Sequence, residues 1–600
     1  MKKFFGRITV APLLITAFAL YAIWLWQMQN PELYLMRRYP AFFTGVWFAE
    51  NYFDFPGYPS EYLARFITQL YRFPLLASVL VALILSAIYR LGTALFAGRA
   101  YSHAVGYVSV VGLMMMHSDY WHDLRFDLLV LLVFSALCLL SASFNKLRRI
   151  PLCIACAVLS GGVLYAGGLL PSALFIIMAS MMLAARPKAA WPEWTGGLLI
   201  VALAFGIRFA LSVHDVKQEA VDMMRIYPFA AFPFVLYGAI LAAGILALTG
   251  RGLRTKLRIR PLYLASAMLA VPCIFLLLSS VVNREEKQSL TVQHYALSCR
   301  WEETLEAARL CKHPDRNTAF YTNEALYRTG KIHSDLFLYN QSFGSAGLML
   351  PEENTLAEIL PNQHIYLYLG AISLSVKWGR EAANVYGMNP FVMLNLIKAY
   401  LAGGYIPEAH KILNLLEHAP FEAEAARYYR RLALDTSLIR QDRELAEIRS
   451  ALTPVTVVAR QNPVMNLPFL AQFPGLNRMA YDYLLLAALL DNQTERFAYY
   501  VTKLKDFGYG NIPKLYLEGL IYLSLYRDNP LDMDMYGFDM NTVYRFRDFQ
   551  NELLAVASRN PSEASGILKQ KYGDTYWYYL LFQSPLSDEN KKEVFFRMTQ

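Results

Sequence analysis

From Pro261 to Asn283 the chain runs for more than twenty residues without a charge: PLYLASAMLAVPCIFLLLSSVVN. As a helix, such a run is long enough to cross a hydrocarbon layer of roughly 30 Å. Comparable apolar stretches precede it and none follows it. In lipid a segment of this kind satisfies its backbone groups as a helix. The expected fold is therefore all-α: a polytopic transmembrane bundle over residues 1–283 and a soluble, helix-patterned tail over 284–600. Nine crossings are expected, at about 9–28, 73–95, 102–117, 126–143, 150–167, 169–185, 195–212, 229–249 and 261–283.

Charge sets the orientation. The formal net charge is +9, a value that on its own suggests a nucleic-acid partner. With a cytoplasmic amino terminus, however, fifteen cations fall at cytoplasmic ends: Lys2, Lys3, Arg7, Arg90, Arg99, Lys146, Arg148, Arg149, Arg186, Lys188, Arg251, Arg254, Lys256, Arg258 and Arg260. Glu193 is the one acid among them. This excess is larger than the net charge of the whole chain, so the basic balance reads as a positive-inside signal. Nucleic-acid binding has no support. An odd number of crossings then leaves the tail outside, in the periplasm of a bacterial inner-membrane protein. The first apolar stretch ends Trp24-Leu25-Trp26-Gln27-Met28, without the small residues of a cleavage site, and reads as a retained anchor.

Three external loops carry the polar residues of the membrane half. The first, residues 29–72, is rich in aromatics, turns at Pro56-Gly57-Tyr58-Pro59 and continues into an amphipathic stretch from Glu61. There Tyr62, Leu63, Phe66, Ile67 and Leu70 share one face, a pattern that fits an interfacial helix. The second loop, His117 to Asp127, is the densest polar cluster, with two His and three Asp. Asp127 falls inside an apolar run, where an ionisable group needs a partner or a cavity. The third, His214 to Arg225, follows a crossing that carries Arg208. Among the six cysteines, Cys153-Ile-Ala-Cys156 has redox or metal spacing but sits in an apolar helix, where packing is the simpler reading. A helix between Cys299 and Cys311 would hold them roughly 15 Å apart, beyond disulfide reach.

The tail shows internal repetition. In the unit Pro390 to Pro420, Leu396, Ala399, Tyr400, Gly404 and Ala409 fall at the apolar, small, aromatic, Gly and Ala positions of a tetratricopeptide repeat. Neighbouring units match less well, so an α-solenoid of degenerate repeats is expected, each pair burying its face on the next. Residues 527–541 read as an irregular insertion, and the aromatic stretch Tyr576-Trp-Tyr-Tyr579 as a cap on the stack.

Over its whole length the sequence resembles an uncharacterised family of bacterial membrane proteins with a tetratricopeptide-like tail. The likeness is carried by PGxxxEYLxRFxTQ (Pro56 to Gln69), SDYxHD (Ser118 to Asp123) and the closing GDTYWYYLLF. Its layout is also similar to that of membrane glycosyltransferases of the GT-C type, which use lipid-linked sugars. That resemblance implies a carboxylate base at Asp119 or Asp123, and lipid-phosphate binding at Arg208, Lys217 and Arg225. It also implies a divalent metal ion held with the help of His117 and His122. The partners it implies are membrane lipid, a lipid-linked sugar and a periplasmic protein docked on the repeats. An Asp-Asp or Asp-x-Asp pair is missing from the loops. The competing expectation is a non-catalytic scaffold, anchored in the membrane, for envelope assembly or export.

Overall fold

The computed structural model describes residues 10–38, 41–54, 56–97, 102–143, 149–184, 232–249, 282–352, 358–454, 457–458, 460–473, 476–526, 539–559 and 563–599. Every regular element among them is helical. The chain separates into two compact units, Met1–Asn283 and Arg284–Gln600.

In the first unit α1 (Val10–Trp24) runs into a π-helical turn, Leu25–Gln29, and three short helices follow: α2 (Glu32–Arg38), α3 (Val46–Phe53) and α4 (Pro59–Thr68). The longer helices are α5 (Pro74–Leu95), α6 (Ser102–Met116), α7 (Leu124–Ser143), α8 (Arg149–Gly167), α9 (Leu169–Ala184) and α10 (Phe232–Thr249). Pro59 and Pro74 open α4 and α5 at positions whose N–H would have no helical acceptor in any case. Of these helices α5 and α7 are both long and apolar enough to cross a membrane, and the remaining apolar ones are shorter. The all-α expectation is met, and of the nine expected crossings those at 73–95 and 126–143 have helices of that length and apolarity among the described residues. Residues 195–212 and nearly all of 261–283 lie outside the described residues.

The long helices are apolar on both faces. Leu85, Val133, Phe134, Leu137 and Ile240 are buried between them, where α5 packs on α6 and α7 and α10 packs on α6. Leu83 and Leu139 face outward at 60 % exposure and Val158 at 67 %. Helices that are apolar all round belong in the core of a large protein or across a membrane.

In the second unit consecutive helices pair: Arg284–Leu297 with Trp301–Leu310, Ile359–Tyr368 with Ile372–Tyr386, Pro390–Gly403 with Ile406–Leu416, and Arg478–Leu490 with Thr494–Val501. This is a solenoid-like arrangement. Asn389 caps its helix by accepting from the Val392 N–H at 3.0 Å, and Gly404 ends it in the left-handed conformation, φ 80°. The inner helices are surrounded on all sides: every residue of Ile359–Tyr368 is buried, as is every residue from Met479 to Leu490.

The stack is not an open spiral. Residues 332–349 bridge early and late repeats. The Ser345 N–H and hydroxyl donate to Asp491 at 2.9 and 2.6 Å, and the Phe337 ring stacks on Tyr579 with centroids 4.9 Å apart. Tyr576 and Tyr579 donate through their hydroxyls to the carbonyls of Leu489 and Leu490. The closing aromatic stretch is therefore an interior wedge: Trp577 and Tyr579 are fully buried. Of the stretch 527–541, residues 527–538 lie outside the described residues.

Candidate functional site

The ends of α1, α6 and α8 and the start of α7 meet at one pole of the first unit, and among the described residues the buried His, Asp and Gln side chains of that unit lie there. The sequence folds locally as a tight connection. The α6 backbone ladder extends past Met116, with the His117 N–H bonded to Leu113 O at 2.9 Å, and α7 begins at Leu124. Asp119 Oδ1 accepts from the Trp121 N–H and Asp123 Oδ1 from the Arg125 N–H, each at 2.9 Å. Both are Asx turns, and Asp123 occupies the position that caps α7. Because α7 starts only at Leu124, Asp119 and Asp123 do not stack above Asp127 on one helical face. Each has a structural task in the connection.

Asp127, fully buried in the first turn of α7, takes the two histidines instead. Its Oδ1 lies 3.1 Å from His117 Nε2 and its Oδ2 lies 2.6 Å from His122 Nε2. The imidazole centroids are 4.1 Å apart, and both rings are buried. The connection is clamped from the first loop. Tyr34 donates its hydroxyl to the carbonyl of His117, Gln29 Nε2 donates to Ser118 O at 3.1 Å, and the Tyr120 hydroxyl donates to Gln29 O at 2.8 Å.

Beside this core lies a half-buried collar. Glu61 on α4 pairs with Arg65 at 2.7 Å and stands 3.6 Å from Arg125 on α7. Burial works against the charge on Arg65, but Glu61 outweighs it and holds the guanidinium pKa above its ordinary value. Arg125 also donates to Ser60 Oγ at 3.2 Å and to Gly57 O at 2.9 Å. The Gly57 N–H reaches Tyr165 O on α8 at 2.7 Å. With φ at 95°, Gly57 occupies a conformation that side chains disfavour, so the turn that the sequence marks at Pro56-Gly57 serves as a junction of three helices. Arg208, Lys217 and Arg225 lie outside the described residues.

A model of one protein family matches the chain over residues 6–583. The chain belongs to DUF6057, a family of unknown function. No curated protein matches it, and no solved structure matches it. Membership in DUF6057 fits the uncharacterised family expected above and carries no statement about membrane topology or repeat type.

The second unit of this DUF6057 chain holds a polar network that sequence reading missed. Glu324, fully buried, lies 2.9 Å from His364 Nε2 and 3.6 Å from Arg328. Burial opposes its charge, but His364 and Arg328 prevail and hold the carboxyl below the usual range. The Arg328 guanidinium lies over the Tyr368 ring at 3.9 Å and pairs with Glu447. Tyr368 donates to Glu444, which Lys398 meets at 2.7 Å. The available signal was Glu324 itself, a carboxylate in the apolar sequence AFYTNEALY.

Proposed function

We propose that the chain is a multi-pass inner-membrane protein that engages a lipid-linked phosphate at the non-cytoplasmic headgroup layer. In this reading it passes the attached group, a sugar in a GT-C-like transfer, to an envelope acceptor presented by the repeat unit. The observation that carries it is the pairing of Arg65 and Arg125 about Glu61 on a short amphipathic helix, beside the buried His117–Asp127–His122 cluster. Guanidinium groups suit phosphate oxygens through parallel N–H donors, and a headgroup would compete with Glu61 for them. Asp119, whose Oδ1 closes a turn, is the carboxylate this reading casts as the proton acceptor. A tetratricopeptide-like unit in the periplasm would hold the acceptor protein.

A second reading, a non-catalytic scaffold for envelope assembly, draws support from the structural use of Asp119 and Asp123 and from the extent of the helical-repeat unit. Comparison of envelope glycans in a deletion strain separates the two. Under the transfer reading, wild type restores the glycan profile, and Arg125→Ala and Asp119→Asn, made at normal abundance, do not. A profile restored by both variants favours the scaffold.

A further inference from the structure

We propose that His117, His122 and Asp127 bind one divalent transition-metal ion of the zinc class, through both Nε2 atoms and a carboxylate oxygen, with water completing the shell. The three donor atoms lie within 4.8 Å of one another. Around a zinc-like ion, ligand bonds near 2.1 Å place neighbouring donors about 3.3 Å apart. His117 Nε2 lies 3.1 Å from Oδ1 of Asp127 and His122 Nε2 lies 2.6 Å from Oδ2, so small side-chain shifts, including a turn of the carboxylate, reach that arrangement. Two imidazoles and one carboxylate form a three-ligand set of the kind that leaves further positions to water, and nitrogen donors favour zinc over magnesium or calcium.

Two features go beyond what a hydrogen-bonded His–Asp–His triad requires. One protonated imidazole would already balance the charge of Asp127, yet both rings aim Nε2 at the same carboxylate. In addition, three buried polar atoms around this core have no hydrogen-bond partner among the described residues: the Tyr21 hydroxyl, Gln29 Oε1 and Ser118 Oγ. Tyr21, fully buried, lies within electrostatic reach of Asp127. Gln29 and Ser118 are already joined by the bond from Gln29 Nε2 to Ser118 O. Water on a bound ion supplies hydrogen-bond partners for buried groups of this kind, and such outer contacts orient a metal shell. The backbone of both histidines is held in advance: Tyr34 grips the His117 carbonyl, and the His122 N–H bonds Asp119 O at 3.0 Å. The ion would tie the end of α6 to the first turn of α7, whether or not the protein transfers anything.

The test uses the full-length chain, purified in detergent with any affinity tag removed, stripped with a chelator and titrated with cobalt(II). The result expected is saturation at about one ion per chain, with the visible absorption of low-coordinate cobalt, and displacement by zinc. His122→Gln should abolish the bands, and Tyr21→Phe, which removes no ligand, should weaken binding by about tenfold. His103→Gln, altering a histidine that bonds Tyr89 at 3.0 Å, should bind as wild type does. Wild-type chain that binds no cobalt overturns the proposal, and so does binding by His122→Gln equal to wild type. If His122→Gln does not fold, the wild-type titration and the contrast between Tyr21→Phe and His103→Gln decide the matter: equal affinity in those two overturns it.

Discussion

Both units bury a carboxylate against histidine, and they do so in opposite settings. Asp127 sits in a unit that exposes many large apolar side chains, Leu83, Leu139 and Val158 among them, with its partners packed into one connection of eleven residues. Glu324 sits between helical repeats, and its network passes through Arg328, which is 9 % exposed, to the half-exposed Glu447. Among the described residues the partners of the first carboxylate are themselves buried, and those of the second lead outward to a half-exposed side chain. The lesson is that the same pair, imidazole and carboxylate, is a closed lock in one unit and the inner end of a solvated chain in the other.

The strongest way to break that contrast is Asp127→Ala. Removing one member of a buried charged cluster costs roughly 3–5 kcal/mol, so the detergent-solubilised chain should lose its thermal transition or show it far lower. A shift no larger than that of a surface control would refute the closed lock. Glu324→Ala comes next. It leaves the Arg328 guanidinium with Glu447 and the Tyr368 ring, and water can approach, so the loss should be smaller, about 2–3 kcal/mol. Double replacement with Arg328→Ala should recover part of it, measurable as a coupling energy from denaturation midpoints.

Titration sharpens the comparison within the second unit. Burial pushes the Glu518 carboxyl up to about 7, because Lys514 at 3.7 Å and the Tyr576 N–H at 2.8 Å only partly offset it. A raised acid keeps in the folded chain a proton that the unfolded chain gives up. Stability is therefore greatest below its ordinary value of 4.5 and is lost as the pH rises toward 7. Asp574 behaves in reverse. Burial opposes its charge, but Arg545 and Lys514 prevail and hold its carboxyl at about 2. Its contribution is present above 3.8 and is lost as the pH falls toward 2. Melting temperature against pH should fall on both sides of a maximum near pH 4. Glu518→Gln should flatten the upper side and Asp574→Asn the lower. A single slope running through both windows would refute the opposed assignment.

The smallest expected effect is Gly57→Ala, at about 1 kcal/mol for a side chain forced to positive φ. The fall in melting temperature should be slight, with Arg125 still bonded to Ser60. A loss as large as that of Asp127→Ala would mean that the collar, rather than the buried triad, holds this pole together.

Legibility in the sequence followed the range of the interactions. Helical character, the division near residue 283 and the repeat at Pro390 to Pro420 rest on local periodicity, so they can be read without coordinates. Asp127 was visible as a charge out of place, though its pairing with both histidines was not. Gln29, Tyr34 and Tyr120 gave no warning. Their partners are backbone carbonyls more than eighty residues away, and a carbonyl leaves no trace in a sequence. Asp119 and Asp123 were conspicuous in the sequence, and the turn each one closes follows from the residue type: Asp is the residue that closes short turns. The closing aromatic stretch reads as a cap in the sequence because its inward partners, Phe337 in the bridge and the carbonyls of Leu489 and Leu490, are distant along the chain.

The π-helical turn at Leu25–Gln29 has a consequence for how this protein tolerates change. Gln29 reaches Ser118 and Tyr120 because the wide turn delivers it inward at the right angle. Deleting one residue there would rotate everything beyond it by roughly 100°, swinging the amide out of this interior. These five positions are thus constrained by their number as firmly as by their identity, and an indel within them would be felt at His117.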